Sequence, residues 1–303
     1  MIDLSVNIAG VVLKNPVMTA SGTYGFGREY SSFFAPYDLG AVTMKGLTLE
    51  KRDGNKPPRI CETPGGILNS VGLQNPGVDA FIKNDLPLLK EKNTVVIANI
   101  AGNTINEYCR MVEILSDTNV DLIEVNISCP NVKEGGAAFG TNCNTVFDIT
   151  KAVKAVSKKP LIIKLSPNVT SISEIAKAAE SGGADALSLI NTLLGMRIDI
   201  KTKKPILFNN KGGMSGGAVL PIAVRMVHEV RQVTKLPIIG MGGISTAFEA
   251  IEMMMAGANA VSIGTAMFSN PYAPIEIING ISEYMENNNI TKVSDITSSV
   301  ILN

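Results

Sequence analysis

Residues 121–131 read DLIEVNISCPN, an apolar run that ends in an amide, a hydroxyl and a thiol. Side chains alternate faces along a strand, so Ile123, Val125 and Ile127 look one way while Leu122, Glu124 and Asn126 look the other. Asn126 therefore faces away from the apolar row. Pro130 has no N–H and biases Cys129 toward an extended backbone, so the strand is expected to stop here and Cys129 to open a loop. The following NVKEGGAAFGTN carries glycines at 135, 136 and 140 and little periodicity, as a cover over a pocket would. This predicts Cys129 on a lid above a pocket floored by Asn126.

Outward from this stretch, short apolar runs recur with helical patterns between them, the mark of βα units and a parallel sheet. The expected strands are VMTA (17–20), AVTM (41–44), VVIA (95–98), LIEVNI (122–127), LIIKL (161–165), ALSLI (186–190), PIIG (237–240) and AVSIG (260–264). Between them, Ser171 and Glu174 form a capping-box pattern ahead of Ile175, and Ile222, Met226, Val230 and Val233 recur at helical intervals. Eight such units favour a closed (β/α)8 TIM barrel over an open doubly wound sheet. With no linker-like break, residues 1–303 read as one domain. DLSVNI and VVLK predict an N-terminal hairpin at the barrel floor, and the long segment from Leu47 to Thr94 is expected to build part of the upper face.

Composition narrows the function. Lys plus Arg and Asp plus Glu are both 27, so there is no general basic surface of the kind that holds a nucleic-acid backbone, and nucleic acid is disfavoured as a partner. The cysteines, 61, 109, 129 and 143, form no CxxC pair, which leaves no visible zinc or iron–sulfur cluster and suggests a reducing compartment. Asp3 stands where a signal peptide would carry positive charge, and the uncharged run 253–275 is broken by Gly257, Asn259 and Pro271. A cytoplasmic protein without a membrane span is the expectation.

In barrels of this kind the chemistry gathers at the C-terminal ends of the strands. Here those ends carry Ser21, Lys45, Asn99, Asn126, Lys164 and Asn191 with Thr192, then Gly242-Gly243 and Gly264-Thr265. Two ammonium groups and several amides, with no carboxylate, disfavour both a divalent metal and paired-acid hydrolysis. The single histidine, His228, falls on the polar face of its helix, so a Ser-His triad is not expected. GMGGIS and SIGTAM place small residues directly after buried strands, where backbone N–H groups can hold a phosphate, and SGG at 215–217 could add a third contact. Lys164 in LIIKL has two readings: a structural ion pair with Glu124, or a cation at the N1/O2 edge of a flavin. Cys109 reads as a small helix hydrophobe, and neither Cys61 nor Cys143 is at a strand end. A thiolate base at Cys129 is chemically sensible in a pocket lacking other proton acceptors.

Taken in order, NSVGLQNPG (69–77), NISCPN (126–131), GGAAFGTN (135–142), KLSPN (164–168), INT (190–192), GGMSG (212–216), GMGGI (240–244) and IGTA (263–266) resemble the dihydroorotate dehydrogenase family across essentially the whole chain. The NAD-linked class 1B catalytic subunits are most similar, with cysteine where the membrane-bound class has serine. The resemblance implies FMN held by Ser21, Lys45, Gly46, Asn99, Asn126, Lys164, Ile190, Gly216, Gly242, Gly243, Gly264 and Thr265. It implies dihydroorotate or orotate bound by Lys45, Asn69, Ser70, Val71, Gly72, Leu73, Asn126, Asn191 and Thr192, with Cys129 as the base. It further implies a homodimer core in a heterotetramer with an electron-transfer subunit that carries FAD and an iron–sulfur cluster and passes electrons to NAD. Gly217 stands where a different small residue is usual. Three alternatives stay open: a fumarate-linked class 1A-like homodimer, an FMN-dependent tRNA dihydrouridine synthase, and a non-catalytic flavin-binding subunit.

Overall fold

The computed structural model describes residues 2–127 and 139–303. Eight parallel strands form the central sheet, at Val17–Thr19, Val42–Thr43, Val96–Ile100, Leu122–Asn126, Leu161–Lys164, Ala186–Leu189, Ile238–Met241 and Ala260–Ile263. They pair in chain order from the second to the eighth, and the eighth pairs with the first through Val261 opposite Val17. A parallel bridge from Met18 to Ala41 closes the ring, reinforced by the Thr43 amide donating to Thr19 Oγ1 at 3.0 Å. This is a (β/α)8 barrel, as the eight apolar runs predicted. Nearly every strand residue is buried, because a parallel sheet covered by helices leaves neither face in water.

The helices outside the ring pack by one apolar stripe each. Ile172–Ser181 buries Ile172, Ile175, Ala176 and Ala179, and the Ser171 hydroxyl caps its first turn by accepting from the Glu174 amide. Thr104, Asn142 and Thr246 cap the helices Ile105–Ser116, Cys143–Val156 and Ala247–Met255 in the same way. The predicted helix around Ile222 runs from Leu220 to Arg231, with Pro221 in its first turn.

At the N-terminal rim the strands are tied by side-chain acceptors. Asp121 Oδ2 accepts the Val96 amide at 2.7 Å, Asp185 Oδ2 the Leu161 amide at 2.8 Å, and Asn259 Oδ1 the Ile238 amide at 2.9 Å. Each is seated on the following unit, so it staples one strand to the next. The hairpin Val6–Ile8 with Val11–Leu13 leads into the first strand and buries Ile8 and Leu13 in the same core.

At the opposite end a second, antiparallel sheet stands over the barrel. Its strands run in the order Leu193–Gly195, Gly212–Ser215, Gly66–Asn69 and Ile60–Thr63. The long segment after the second barrel strand thus supplies half of an upper structure, as expected, and residues after the sixth strand supply the other half. Gly216 allows the close approach: at φ +111° a Cβ there would sit 2.5 Å from the Gly66 Cα. Among the described residues no helix is long and apolar enough to cross a membrane.

Candidate active site

Between the barrel mouth and this upper sheet lies a cavity of about 760 Å³. Its size is that of a small-molecule or cofactor site. Of the residues singled out above, Ser21, Lys45, Gly46, Asn99, Asn126, Lys164, Ile190, Gly216, Gly242, Gly243, Gly264 and Thr265 line it, together with Asn69, Val71, Gly72, Leu73, Asn191 and Thr192. Ser70 does not: it is buried behind the wall, where its carbonyl and hydroxyl oxygens accept from Asn55 Nδ2 at 2.9 and 3.1 Å. Cys129, and residues 131–138 of the expected lid, lie outside the described residues.

The floor is built by strand ends. Asn126 and Lys164 close the fourth and fifth strands, Asn99 is the last residue but one of the third, and all three are buried. Asn126 Oδ1 accepts from Asn191 Nδ2 at 3.3 Å, and the Asn191 side chain in turn accepts the Thr192 amide at 2.7 Å. The Lys164 ammonium lies 3.4 Å from Ser21 Oγ and 3.6 Å from Glu124 Oε1. Both contacts are longer than a good N–H···O bond, so the cation retains donor capacity toward the cavity it lines. Glu124 itself sits one layer below. Among the described residues the cavity lining carries no carboxylate.

Two polar atoms in this floor have no partner: Asn99 Oδ1 and Ser262 Oγ, both buried. Leaving such groups unpaired is costly, and a ligand able to donate to them would remove the cost. Ser262 was not anticipated. It lies inside AVSIG, but two residues before Gly264 and hence on the same strand face, which is the signal that points to it. Gly46 keeps the approach to Asn99 open, since a Cβ there would stand 2.8 Å from Asn99 Oδ1.

One end of the cavity is backbone. The amides of Gly242, Gly243 and Gly264 meet no carbonyl of the described residues. Gly243, at φ +80°, lies so close to the start of the helix Leu220–Arg231 that a Cβ would come within 2.6 Å of the Leu220 Cβ. Nearby, Thr265 Oγ1 donates to Ser215 Oγ at 2.7 Å, tying the eighth strand end to the upper sheet. Free amides in glycine turns suit an anionic, phosphate-like group. The donor set therefore fits a flat ligand with hydrogen-bonding edges and a phosphorylated tail.

Groups outside the cavity are quiet. Burial, then the charge of Glu29 and the neighbouring Tyr30, pushes the Tyr24 phenol well above its ordinary range, so it stays neutral. Burial and then Glu113 likewise raise the Cys109 thiol. His228 is half-buried on its helix, away from the cavity lining. Among the described residues no group of three or more His, Cys, Asp or Glu could hold a metal ion.

Residues 3–285 match the family described as dihydroorotate dehydrogenase. The chain is 58% identical over 294 residues to a protein of Alkaliphilus oremlandii named dihydroorotate dehydrogenase B (NAD(+)), catalytic subunit, covering 97% of each chain. A protein of the same name from Alkaliphilus metalliredigens is 58% identical over 299 residues, covering 99% of each. One from Thermoanaerobacter pseudethanolicus is 55% identical over 298 residues, covering 98% of this chain and 99% of that one. The family match over residues 3–285, with identity at this level over nearly the full length, shows that the chain belongs to the dihydroorotate dehydrogenase family.

Proposed function

We propose that this chain oxidises (S)-dihydroorotate to orotate in de novo pyrimidine biosynthesis, as the FMN-binding catalytic subunit of an NAD-linked enzyme in the cytoplasm, with residues 1–303 acting as one domain. The observation that carries the reading is the convergence of Lys45, Lys164, Asn126, Asn191 and Thr192 on one cavity whose Asn99 Oδ1 and Ser262 Oγ lack partners. The relatives' shared name supports the same substrate and oxidant.

FMN, when bound, supplies the acceptor for the hydride that leaves C6 of dihydroorotate. Lys164, Asn99 and Ser262 would hold the edge of its ring system, and the amides at Gly242, Gly243 and Gly264 its phosphate. Asn69, Asn191 and Thr192 orient the substrate, and Lys45 faces its anionic side. Cys129 Sγ takes the proton from C5, so both hydrogens leave as a new C5–C6 double bond forms. The two lysines stabilise the negative charge that develops as the proton departs. A partner subunit carrying FAD and an iron–sulfur cluster, in a heterotetramer built on a homodimer of this chain, delivers the electrons to NAD.

The test is direct. The purified chain with FMN should be yellow and should bleach under anaerobic dihydroorotate, while dihydrouridine in tRNA leaves its spectrum unchanged. A chain that takes up no FMN, or one that is reduced by the tRNA and not by dihydroorotate, overturns the reading.

A further inference from the structure

Glu124 takes no part in the reaction described above, yet its surroundings are unusually specific. It lies on the fourth barrel strand directly beneath the cavity floor, with its side chain 2% exposed. An ionised carboxylate can only accept hydrogen bonds. Oε1 accepts from Asn99 Nδ2 at 2.5 Å and lies 3.6 Å from Lys164 Nζ, while Oε2 accepts from Ser188 Oγ at 2.7 Å. One buried anion thus meets the third, fifth and sixth strands.

Two consequences follow for the groups above it. Because Glu124 cannot donate, the Asn99 amide must turn its NH2 down and present Oδ1 to the cavity as an acceptor. Lys164, for its part, has a carboxylate 3.6 Å away in a place where an unpaired ammonium would be costly. Its distance to that counter-ion is still too long for a full hydrogen bond, so the ammonium keeps donors for a ligand.

We propose that Glu124 is a positioning residue that sets the polarity of the flavin edge: it fixes Asn99 as an acceptor and offsets part of the Lys164 charge. It thereby holds the reduction potential of bound FMN below the value that an uncompensated lysine would impose. The inference rests on the FMN reading above. The sign comes from charge alone: negative charge accumulates on the ring on reduction, a cation beside it favours the reduced form, and an anion behind that cation weakens the effect.

The experiment measures the midpoint potential of FMN bound to the full chain and its dissociation constant, with thermal stability recorded in parallel. Glu124→Gln keeps the shape and removes the charge. It should raise the potential by at least a tenfold change in the equilibrium, about 30 mV for a two-electron couple, and weaken FMN binding severalfold, because a glutamine NH2 can turn Asn99 around. Glu124→Asp, which keeps the charge, should restore most of the wild-type potential. Ser188→Ala, which leaves the carboxylate more of its field, should move the potential the opposite way. A merely structural ion pair would lower stability in these variants and leave the potential of bound FMN where it was, and that result overturns the proposal. Should Glu124→Gln fail to fold, Ser188→Ala decides: a lowered potential supports the proposal and an unchanged one overturns it. If the unaltered chain takes up no FMN, the functional reading falls and this inference with it; if it is yellow and the variants match it, only the inference falls.

Discussion

Lys164 carries a positive charge to a place where water hardly reaches, and its side chain is only 6% exposed. Two roles are open to it from sequence, a structural pairing with Glu124 and a cation at a flavin edge; the anion lies below it and the cavity above, so the one does not exclude the other. Strand parity made this legible, since Glu124 and Asn126 fall on one face and both reach the barrel interior. Ser188 was not legible, because a serine inside an apolar run reads as a small filler until its neighbours are known, and for Ser262 the one signal was its parity with Gly264. Ser70 sits in the segment that the family resemblance tied to substrate, but Asn55 clamps it behind the wall. Cys129 belongs to the same scale. The fourth strand delivers Asn126 to the cavity three residues before it, and the described lining offers no carboxylate or imidazole to compete for a proton. Replacing the thiol by a hydroxyl of much higher pKa should preserve the pigment and slow the proton step. Cys129→Ser is expected to remain yellow while flavin reduction by dihydroorotate falls by roughly 10²- to 10⁴-fold, the usual value of a general base. Stopped-flow absorbance reads this, and unaltered reduction kinetics would remove Cys129 from the mechanism.

The strands themselves were readable because burial on both faces makes them near-continuous apolar runs. The upper sheet was not. Its segments, such as GILN (66–69) and GGMS (212–215), are short and glycine-rich, and Asn69 and Gly213 meet across a separation of 144 residues, which no local pattern encodes. The acceptors at the N-terminal rim were equally silent, since an Asp before a strand reads as an ordinary turn residue. Asp185 shows what they contribute. It accepts the amide of the fully buried Leu161 and also pairs with Lys154 at 2.7 Å. That ion pair is partly exposed and adds little. The orphaned amide is the larger effect, so Asp185→Ala should cost about 1–3 kcal/mol of stability. Thermal or urea denaturation measures it. FMN occupancy should not change, because the cavity lies at the other end of the barrel; lost FMN at full stability would contradict this division.

Across the whole molecule, positive and negative side chains are equal in number, and the glycine turns after the seventh and eighth strands open on the cavity already described. GMGGIS, which could be taken for a dinucleotide fingerprint, ends the seventh barrel strand and lines the same cavity as the lysines. The chain alone should therefore accept electrons from dihydroorotate and fail to pass them to NAD. Purified without other subunits, it is expected to show no NAD reduction until a copurifying flavin and iron–sulfur protein is restored. Rapid turnover with fumarate in its place would assign it to the class 1A type. The upper sheet also has a temporal consequence. Its strands come from residues 60–69 and 193–215, and the glycine turns that complete the cavity wall follow only at 242 and 264. A polypeptide emerging from the ribosome cannot own this chamber until most of its length has been translated, so whatever the chamber holds can be acquired only late in its biogenesis, after the ring has sealed.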